Sequence, residues 1–341
     1  MIERGLTAGL SVVIPVFDRN SSVESACLLN GAIESVFDQK LPANIEVLII
    51  DDGSPVPVEL SLKSRRSDAR VIVHRIPSNH GLVNALNAGL WMAKYSLIAR
   101  LDADDIWLPS KLEKQMALFE RDADLSISAT GMRAVDPCGL EIAEHVRPGD
   151  WKGILKFFVE IGCPFPHGSV VARTDIYRLL GGYPCDATFS HCEDYALWGI
   201  WLRFFKPAMI EEPLYRYTVS AGSVSSLHSA QQVRASTLVS AKFVKGQLTE
   251  QLPKALRSLA DVLEVSLIDA GRLAFVIWRY SPRICLPAAA IEHLCVILFD
   301  RKFVQSAPNR FVRSWRELLP GFQRLSPLTA ASNTAGLFLP S

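Results

Sequence analysis

The stretch SLIARLDADDIWLP, residues 96–109, places a cluster of acidic residues directly after an apolar segment. Residues 96–102 are mostly apolar and are short enough for one buried strand. Asp102, Asp104 and Asp105 fall within four positions. Three carboxylates this close repel one another unless a cation or backbone N–H groups compensate them. The stretch therefore predicts a core strand that ends at a rim where negative charge serves a ligand.

Strands and helices alternate on both sides of this stretch. The segments with a strand pattern are 10–17, 45–51, 70–76 and 96–102. The segments with a helix pattern are 25–39, 81–95 and 109–122, the last with Pro109 in its first turn. This alternation is typical of βαβ units, so the sequence predicts an α/β protein with a parallel, buried sheet and right-handed crossovers.

Acidic residues follow three of the four predicted strands, where ligands bind in parallel sheets. They are Asp18, the pair Asp51 and Asp52, and the cluster that begins at Asp102. Any one of them could merely cap a helix or a turn, but three on one rim favour a binding role. Carboxylate oxygens are suitable ligands for a hard divalent cation, which can bind the phosphate oxygens of a substrate at the same time. Neither G-x-x-x-x-G-K-[ST] nor G-x-G-x-x-G occurs, so the sequence predicts a diphosphate site built from acids and a metal.

Composition limits the class of protein. The chain has 341 residues, of which 49% are hydrophobic and 21% charged, with a net charge of +1. This describes a globular protein of about two domains, with no sign of nucleic-acid binding. Seven cysteines without a C-x-x-C pair indicate reduced thiols and a cytoplasmic location. Cys185, His191 and Cys192 lie close together but lack the second ligand pair of a zinc site.

Six motifs occur in an order that resembles a known family. They are VVIPVFDRN, VLIIDDGS, NHGLVNALNAGL, IARLDADDIWLPSKLEKQ, PHGSVVARTDIYRLLGGY and CEDYALWGIWLR. Together they resemble the family 2 glycosyltransferases of the GT-A fold, which build bacterial surface polysaccharides. The resemblance covers residues 9–226. It implies a glycosyltransferase domain over 1–226, with a mostly parallel central sheet between helices. Residues 227–341 remain as a helical extension with a disordered tail.

The resemblance also implies roles for single residues on the donor side. The donor would be a nucleotide-diphosphate sugar bound with a divalent Mg or Mn ion, and a UDP-sugar is the favoured donor. Asp104 would bind this metal with help from Asp102, and Asp52 would hydrogen-bond the base. The residues that the resemblance places around the nucleotide and the sugar are Pro15, Phe17, Asp18, Asp52, Arg100 and Asp102.

On the acceptor side, the resemblance assigns the catalytic base to Asp194 of the pair Glu193-Asp194. His167 lies at the start of the segment that, by the resemblance, leads to the acceptor side of the site. A sugar hydroxyl needs a carboxylate to take its proton, and a metal stabilises the leaving diphosphate as a Lewis acid. One displacement with one base inverts the anomeric centre. The two acids also suit the first turn of a helix through its dipole, and both interpretations can hold together.

The sequence departs from the family pattern after the last predicted strand. Similar enzymes often carry Tyr-Arg-x-His-x-x-Ser, whereas this chain has Thr218 and Ser220 in place of the arginine and the histidine. This departure keeps open a catalytically silent protein that binds sugar nucleotides. A sugar-1-phosphate nucleotidyltransferase would need a glycine-rich basic loop after the first strand, and VFDRNSS (16–22) is not one.

The C-terminal region combines positive charge with aromatic residues. Between positions 279 and 324, eight arginines and lysines stand against three acids, with five phenylalanines and tryptophans among them. One interpretation is a helical cap packed on the core. The other is a surface that lies on anionic lipid at the inner face of the cell membrane, which would suit a lipid-linked acceptor. The resemblance leaves the acceptor open between a saccharide and a lipid-linked molecule.

Overall fold

Nine strands form one mixed sheet in the computed structural model, which describes residues 7–40, 44–63, 65–122, 125–219 and 229–244. The strand order is β3-β2-β1-β4-β8-β6-β9-β5, and β7 pairs with β6. The strands are β1 (Thr7–Val16), β2 (Ile45–Asp52), β3 (Val71–Ile76), β4 (Tyr95–Arg100), β5 (Ile106–Trp107), β6 (Leu125–Val135), β7 (Glu141–His145), β8 (Val171–Arg173) and β9 (Lys206–Thr218).

Helices cover both faces of this sheet. They are α1 (Val23–Phe37), α2 (Leu82–Met92), α3 (Lys111–Arg121), α4 (Trp151–Glu160), α5 (Thr174–Leu179), α6 (Glu193–Phe204) and α7 (Ser229–Val244). Short 3-10 helices lie at Val58–Ser61, His167–Ser169 and Ala187–Phe189.

The first four strands are parallel, as the alternating pattern predicts. Val16 of β1 lies opposite Asp51 of β2, and Val13 lies opposite Arg100 of β4. This register brings the carboxyl ends of the three strands to one edge of the sheet. Beyond β4 the sheet is mixed, since β8 runs antiparallel to β4 and to β6, while β6 and β9 are parallel. The predicted α/β fold is confirmed, and the predicted parallel pairing holds for β1 to β4.

Side chains of alternate residues in the strands form two apolar cores. Val13 belongs to the core under α2 and α4 to α7, whereas Val12 and Ile14 belong to the core under α1 and α3. Helix α2 approaches β1 closely because Gly89 has no side chain: a Cβ atom there would lie 2.5 Å from Cγ1 of Val13. The two cores hold the edge that carries the acidic residues in place.

Two predicted boundaries at the acidic stretch are corrected by the structure. Helix α3 begins at Lys111 and not at Pro109, because Ser110 adopts a left-handed φ of 67° that no α-helix accommodates. Strand β4 ends at Arg100, so Asp102 lies in the turn beyond the strand. The acids therefore sit on a loop that a rigid strand supports.

The first part of the predicted C-terminal extension packs on the core. Helix α7 contacts α4 and α6, and its Val239 and Phe243 are fully buried. Residues 245–341 lie outside the described residues, including the basic segment 279–324 and the predicted disordered tail. The division at residues 226 and 227 stays a prediction. In the part of the chain that the structure describes, no helix has the length and apolar character needed to cross a membrane.

Candidate active site

A cleft of about 530 Å³ lies beyond the carboxyl end of β4. It is lined by residues from β4, the segment before β8, the start of α6, the end of β9 and α7. The structure brings six of the ten predicted site residues to this cleft: Arg100, Asp102, Asp104, His167, Glu193 and Asp194. Donor-side and acceptor-side predictions thus meet in one place, although up to 94 positions separate them in sequence.

Two of the three acids of the opening stretch face the cleft. The guanidinium of Arg100 forms an ion pair with Asp102, and Arg100 is only 7% exposed. Burial, followed by the charge of Asp102, raises the pKa of Asp104 to about 6. Among the described residues, no cationic side chain forms an ion pair with Asp104. Asp104 is therefore a desolvated carboxylate whose negative charge Arg100 compensates only in part.

The third acid, Asp105, has a structural role. It is fully buried, and its carboxylate accepts hydrogen bonds from the Tyr215 hydroxyl and, at 2.8 Å, from the backbone N–H of Thr218. The Thr218 hydroxyl in turn donates to the carbonyl oxygen of Asp104 at 2.7 Å. Strand β9 is tied in this way to the acidic loop. Thr218, which stands where similar enzymes carry arginine, helps to hold the backbone of Asp104.

The remaining four predicted residues lie at the ends of β1 and β2. Pro15 is buried in β1, and Phe17 is 40% exposed just after it. The Asp18 carboxylate accepts a hydrogen bond from the N–H of Ser21 at 2.8 Å. The Asp52 carboxylate accepts the N–H groups of His80 and Gly81, at 3.0 and 2.7 Å, in the loop that leads into α2. The nucleotide-binding roles of these four residues stay predictions.

Glu193 and Asp194 are the first two residues of α6, and the carboxyl groups of both are buried in the site. Glu193 is 8% exposed, and burial, followed by the charge of Asp194, raises its pKa to about 7. Burial also raises the pKa of Asp194, while the N–H of Tyr195, which donates to Asp194 at 2.7 Å, and the charge of Arg100 favour its ionised form. The dipole interpretation and the base interpretation of this pair are thus both compatible with its position.

His167 lies between the acceptor-side acid and two buried tyrosines. Its Nδ1 is 3.7 Å from Oδ2 of Asp194, and its Nε2 is 2.8 Å from the Tyr183 hydroxyl. The ring also packs edge-on against Trp198. Burial, followed by the nearby Arg100, lowers the pKa of His167 well below its usual value. Its surroundings therefore favour the neutral form of His167.

Several residues that line the cleft were not predicted from the sequence. Arg147 donates to the carbonyl oxygen of Cys163 at 2.7 Å, and the Cys163 thiol lies 3.8 Å from Oδ2 of Asp194. Gln232 of α7 reaches the cleft from the segment that was predicted as an extension, and it donates to the carbonyl oxygen of His191 at 3.2 Å. No sequence motif marks these residues, because loops and long-range packing bring them here.

The described residues include no group of three or more His, Cys, Asp and Glu side chains arranged to hold a metal ion by themselves. Asp102 and Asp104 contribute two carboxylates to the cleft. A cation at this place would need further oxygen ligands, which a bound diphosphate or water can provide.

Comparisons with known proteins agree with the fold. Residues 11–175 match the sequence profile described as Glycosyl transferase family 2. The Bacillus subtilis (strain 168) protein named "Putative glycosyltransferase EpsE" is 32% identical over 195 residues, which span 55% of this chain and 67% of EpsE. The amylovoran biosynthesis glycosyltransferase AmsE of Erwinia amylovora is 30% identical over 192 residues, which span 55% of this chain and 67% of AmsE.

Solved structures show the same architecture. The structure of S. aureus TarS 1-349 in complex with UDP superposes with a TM-score of 0.52 at 16% identity, over 88% of this chain and 93% of TarS. At this identity the likeness concerns the GT-A fold alone. With the fold and the relatives at 30% identity or more taken together, this chain belongs to glycosyltransferase family 2 and is a glycosyltransferase.

Proposed function

We propose that this protein transfers a sugar from a nucleotide-diphosphate sugar to a hydroxyl group of an acceptor. The favoured donor is a UDP-sugar. The reaction would use a divalent metal ion and invert the anomeric carbon. One observation carries the proposal. The acids after β4 and the acids that begin α6 line the same cleft, although they come from separate parts of the chain. A single displacement needs one carboxylate beside the acceptor hydroxyl as its base, and acids on the donor side could hold a cation against the diphosphate.

The donor-side residues fit a divalent cation. Asp104 is desolvated and forms no ion pair among the described residues, and burial and the charge of Asp102 raise its pKa more than Arg100 lowers it. Asp102 contributes a second carboxylate, although Arg100 already pairs with it. When bound there, Mg²⁺ or Mn²⁺ would neutralise charge on the diphosphate and act as a Lewis acid.

On the acceptor side, we assign the general base to Asp194. The acceptor hydroxyl would transfer its proton to this carboxylate while its oxygen attacks the anomeric carbon. The bond between that carbon and the diphosphate oxygen breaks in the same step, and the nucleoside diphosphate leaves. Asp194 is more suitable than Glu193, because the N–H of Tyr195 and the thiol of Cys163 are directed at it and favour its charged form.

Two relatives support an acceptor of the saccharide type. AmsE is named for amylovoran biosynthesis and WbnJ of Escherichia coli for O-antigen biosynthesis. WbnJ is 32% identical over 168 residues. By extension, we propose a saccharide or lipid-linked acceptor and a role in polysaccharide or glycolipid synthesis in the cytoplasm. Contact with the inner face of the cell membrane would involve residues 279–324.

Release of nucleoside diphosphate tests the proposal. Full-length protein is incubated with Mn²⁺ and a panel of nucleotide sugars, with and without candidate saccharide acceptors. We expect turnover of one donor, slow when water is the acceptor. Asp194→Asn should retain donor binding and lose transfer by about 10²–10⁴-fold, since an amide cannot accept the proton.

Glu193→Gln is the matched variant, because it removes the adjacent carboxylate while leaving Asp194 in place. Transfer at nearly the wild-type rate by Asp194→Asn, together with its loss in Glu193→Gln, would move the base to Glu193. Donor binding without release under any divalent metal would instead indicate the silent sugar-nucleotide-binding protein.

A further inference from the structure

A chain of four polar side chains leads from the apolar core to the cleft. The hydroxyl oxygens of Tyr177 and Tyr183 are 3.0 Å apart. The Tyr183 hydroxyl lies 2.8 Å from Nε2 of His167, and Nδ1 of His167 lies 3.7 Å from Oδ2 of Asp194. The chain therefore ends on the carboxylate to which we assign the general base.

The surrounding structure holds Tyr183 in place. The side-chain amide of Asn87 accepts from the backbone N–H of Tyr183 at 2.8 Å and donates to its carbonyl oxygen at 3.0 Å. Tyr177 and Tyr183 are 3% and 5% exposed. Trp198, one helical turn after Asp194, packs against both tyrosine rings and against His167. The hydroxyl of Tyr183 is thus fixed relative to the imidazole.

The direction of the hydrogen bonds follows from charge. Burial raises the pKa values of Tyr177 and Tyr183, so both remain phenols that can donate. The neutral imidazole of His167 carries one N–H. If that hydrogen were on Nε2, the lone pair of Nδ1 would face the Asp194 carboxylate. If it is on Nδ1, the N–H faces the carboxylate, and the Tyr183 hydroxyl donates to Nε2.

We infer that Tyr183 fixes the Nδ1–H tautomer of His167, and that His167 in this form orients the Asp194 carboxylate and keeps it charged. The inference rests on the proposed function in so far as Asp194 is the base. His167 and Tyr183 are positioning residues, because they act on the reaction through Asp194. Tyr183 closes the motif PHGSVVARTDIYRLLGGY, but the family resemblance assigns no role to it.

Other ionisable groups also face Asp194. They are Glu193 and Cys192 at the start of α6, Cys163 before β8, Arg100 on β4 and Arg147 before α4. A pH profile of the reaction reports on all of them together. The tautomer must therefore be measured directly as well.

Nitrogen NMR of the full-length protein labelled with ¹⁵N-histidine measures the tautomer without any turnover. The His167 signals are identified by their loss in His167→Asn. We expect wild-type His167 to show a protonated Nδ1 and an unprotonated Nε2, and we expect Tyr183→Phe to shift population towards Nε2–H. A wild-type His167 protonated on Nε2 would overturn the inference, as would a tautomer that does not change in Tyr183→Phe.

Kinetics of nucleoside-diphosphate release test the consequence for Asp194. Tyr183→Phe should lower kcat by about tenfold, because the Nε2–H tautomer turns the lone pair of Nδ1 towards the Asp194 carboxylate, with an unchanged KM for the donor. The acidic limb of its pH profile should move to higher pH, since the charged carboxylate loses support. His167→Asn keeps an N–H donor near the place of Nδ1, so it should retain more activity than His167→Ala.

Tyr95→Phe is the control, because Tyr95 lies at the amino end of β4, away from the cleft. It should leave both the rate and the pH profile unchanged. Melting temperatures of all variants exclude global unfolding as the cause. Unchanged kcat and pH profile in Tyr183→Phe, with Asp194→Asn inactive, would refute the inference and leave the proposed function intact. Full transfer by Asp194→Asn would refute the base assignment, and with it the catalytic part of the inference.

Discussion

Replacing Glu193 with glutamine should stabilise the protein increasingly as the pH rises. The carboxyl of Glu193 is buried beside Asp194, and these two causes raise its pKa from 4.5 to about 7. The native state therefore holds this proton more tightly than the unfolded chain does. The contribution of Glu193 to the free energy of unfolding is fully present below pH 4.5 and is lost as the pH rises through about 7.

The size of the effect follows from the two pKa values. A separation of about 2.5 pH units corresponds to about 3 kcal/mol, at 1.36 kcal/mol for each unit. Glutamine has nearly the same shape and does not ionise, so the variant avoids this loss. The difference in unfolding free energy between Glu193→Gln and the wild type should grow by about 3 kcal/mol between pH 4.5 and 8.5.

Urea unfolding of both proteins across this pH range is the assay, with fluorescence and circular dichroism required to coincide. Burying the amide of glutamine can cost free energy, but this cost is the same at every pH. It therefore cancels when the change of the free-energy difference with pH is compared. Glu120→Gln is the control, since Glu120 is exposed on α3 and its difference from the wild type should stay small at every pH. A Glu193→Gln difference that stays constant, or that shrinks as the pH rises, would refute the account of the buried acid pair.

Three further predictions concern the donor side and the C-terminal region. Asp104→Ala should abolish Mn²⁺-dependent donor binding in calorimetry while the protein stays folded, because removing a side chain from a loop leaves no core cavity; undiminished binding would remove the metal role. Thr218→Val removes the 2.7 Å hydrogen bond to the Asp104 carbonyl, and it should cost about 1 kcal/mol in urea unfolding and weaken donor binding; unchanged stability would contradict this role. Through residues 279–324, full-length protein should co-sediment with anionic vesicles at low salt and dissociate at high salt; protein left in the supernatant at low salt would contradict the membrane interpretation.

Local patterns in the sequence were sufficient to predict the half of the sheet built from βαβ units. From β1 to β4, the signals are apolar runs, helical periodicity and acids at strand ends. Each of these signals depends only on residues that are close together in the sequence. The carboxyl ends of parallel strands meet at one edge, so Asp102 and Asp104 could be placed at a binding rim before the fold was known. The antiparallel insertion of β8 between β4 and β6 has no such local signature, and it was not predicted.

Long-range packing decides what the sequence could not show. Asp104 and Asp105 are adjacent and chemically identical, yet one lines the cleft and the other is a buried acceptor for β9. The need for glycine at position 168 could not be predicted from the sequence either. A Cβ atom there would overlap the Tyr215 hydroxyl that donates to Asp105. These assignments depend on contacts across about 50 to 110 positions, and no short motif encodes them.

The charges of the cleft would couple donor binding to the proposed binding of a metal ion. Among the described residues, four carboxylates line the cleft against the guanidinium groups of Arg100 and Arg147. This imbalance contributes to the raised pKa values of Asp104 and Glu193, about 6 and about 7. A diphosphate would add negative charge to a site that already binds protons, so we expect donor and divalent cation to raise each other's affinity reciprocally. Because a metal binds the ionised carboxylate, cation binding near pH 6 should release a proton from Asp104. Calorimetry in buffers with different ionisation enthalpies measures this release, and equal heats in all buffers would show that Asp104 is not the group that meets the cation.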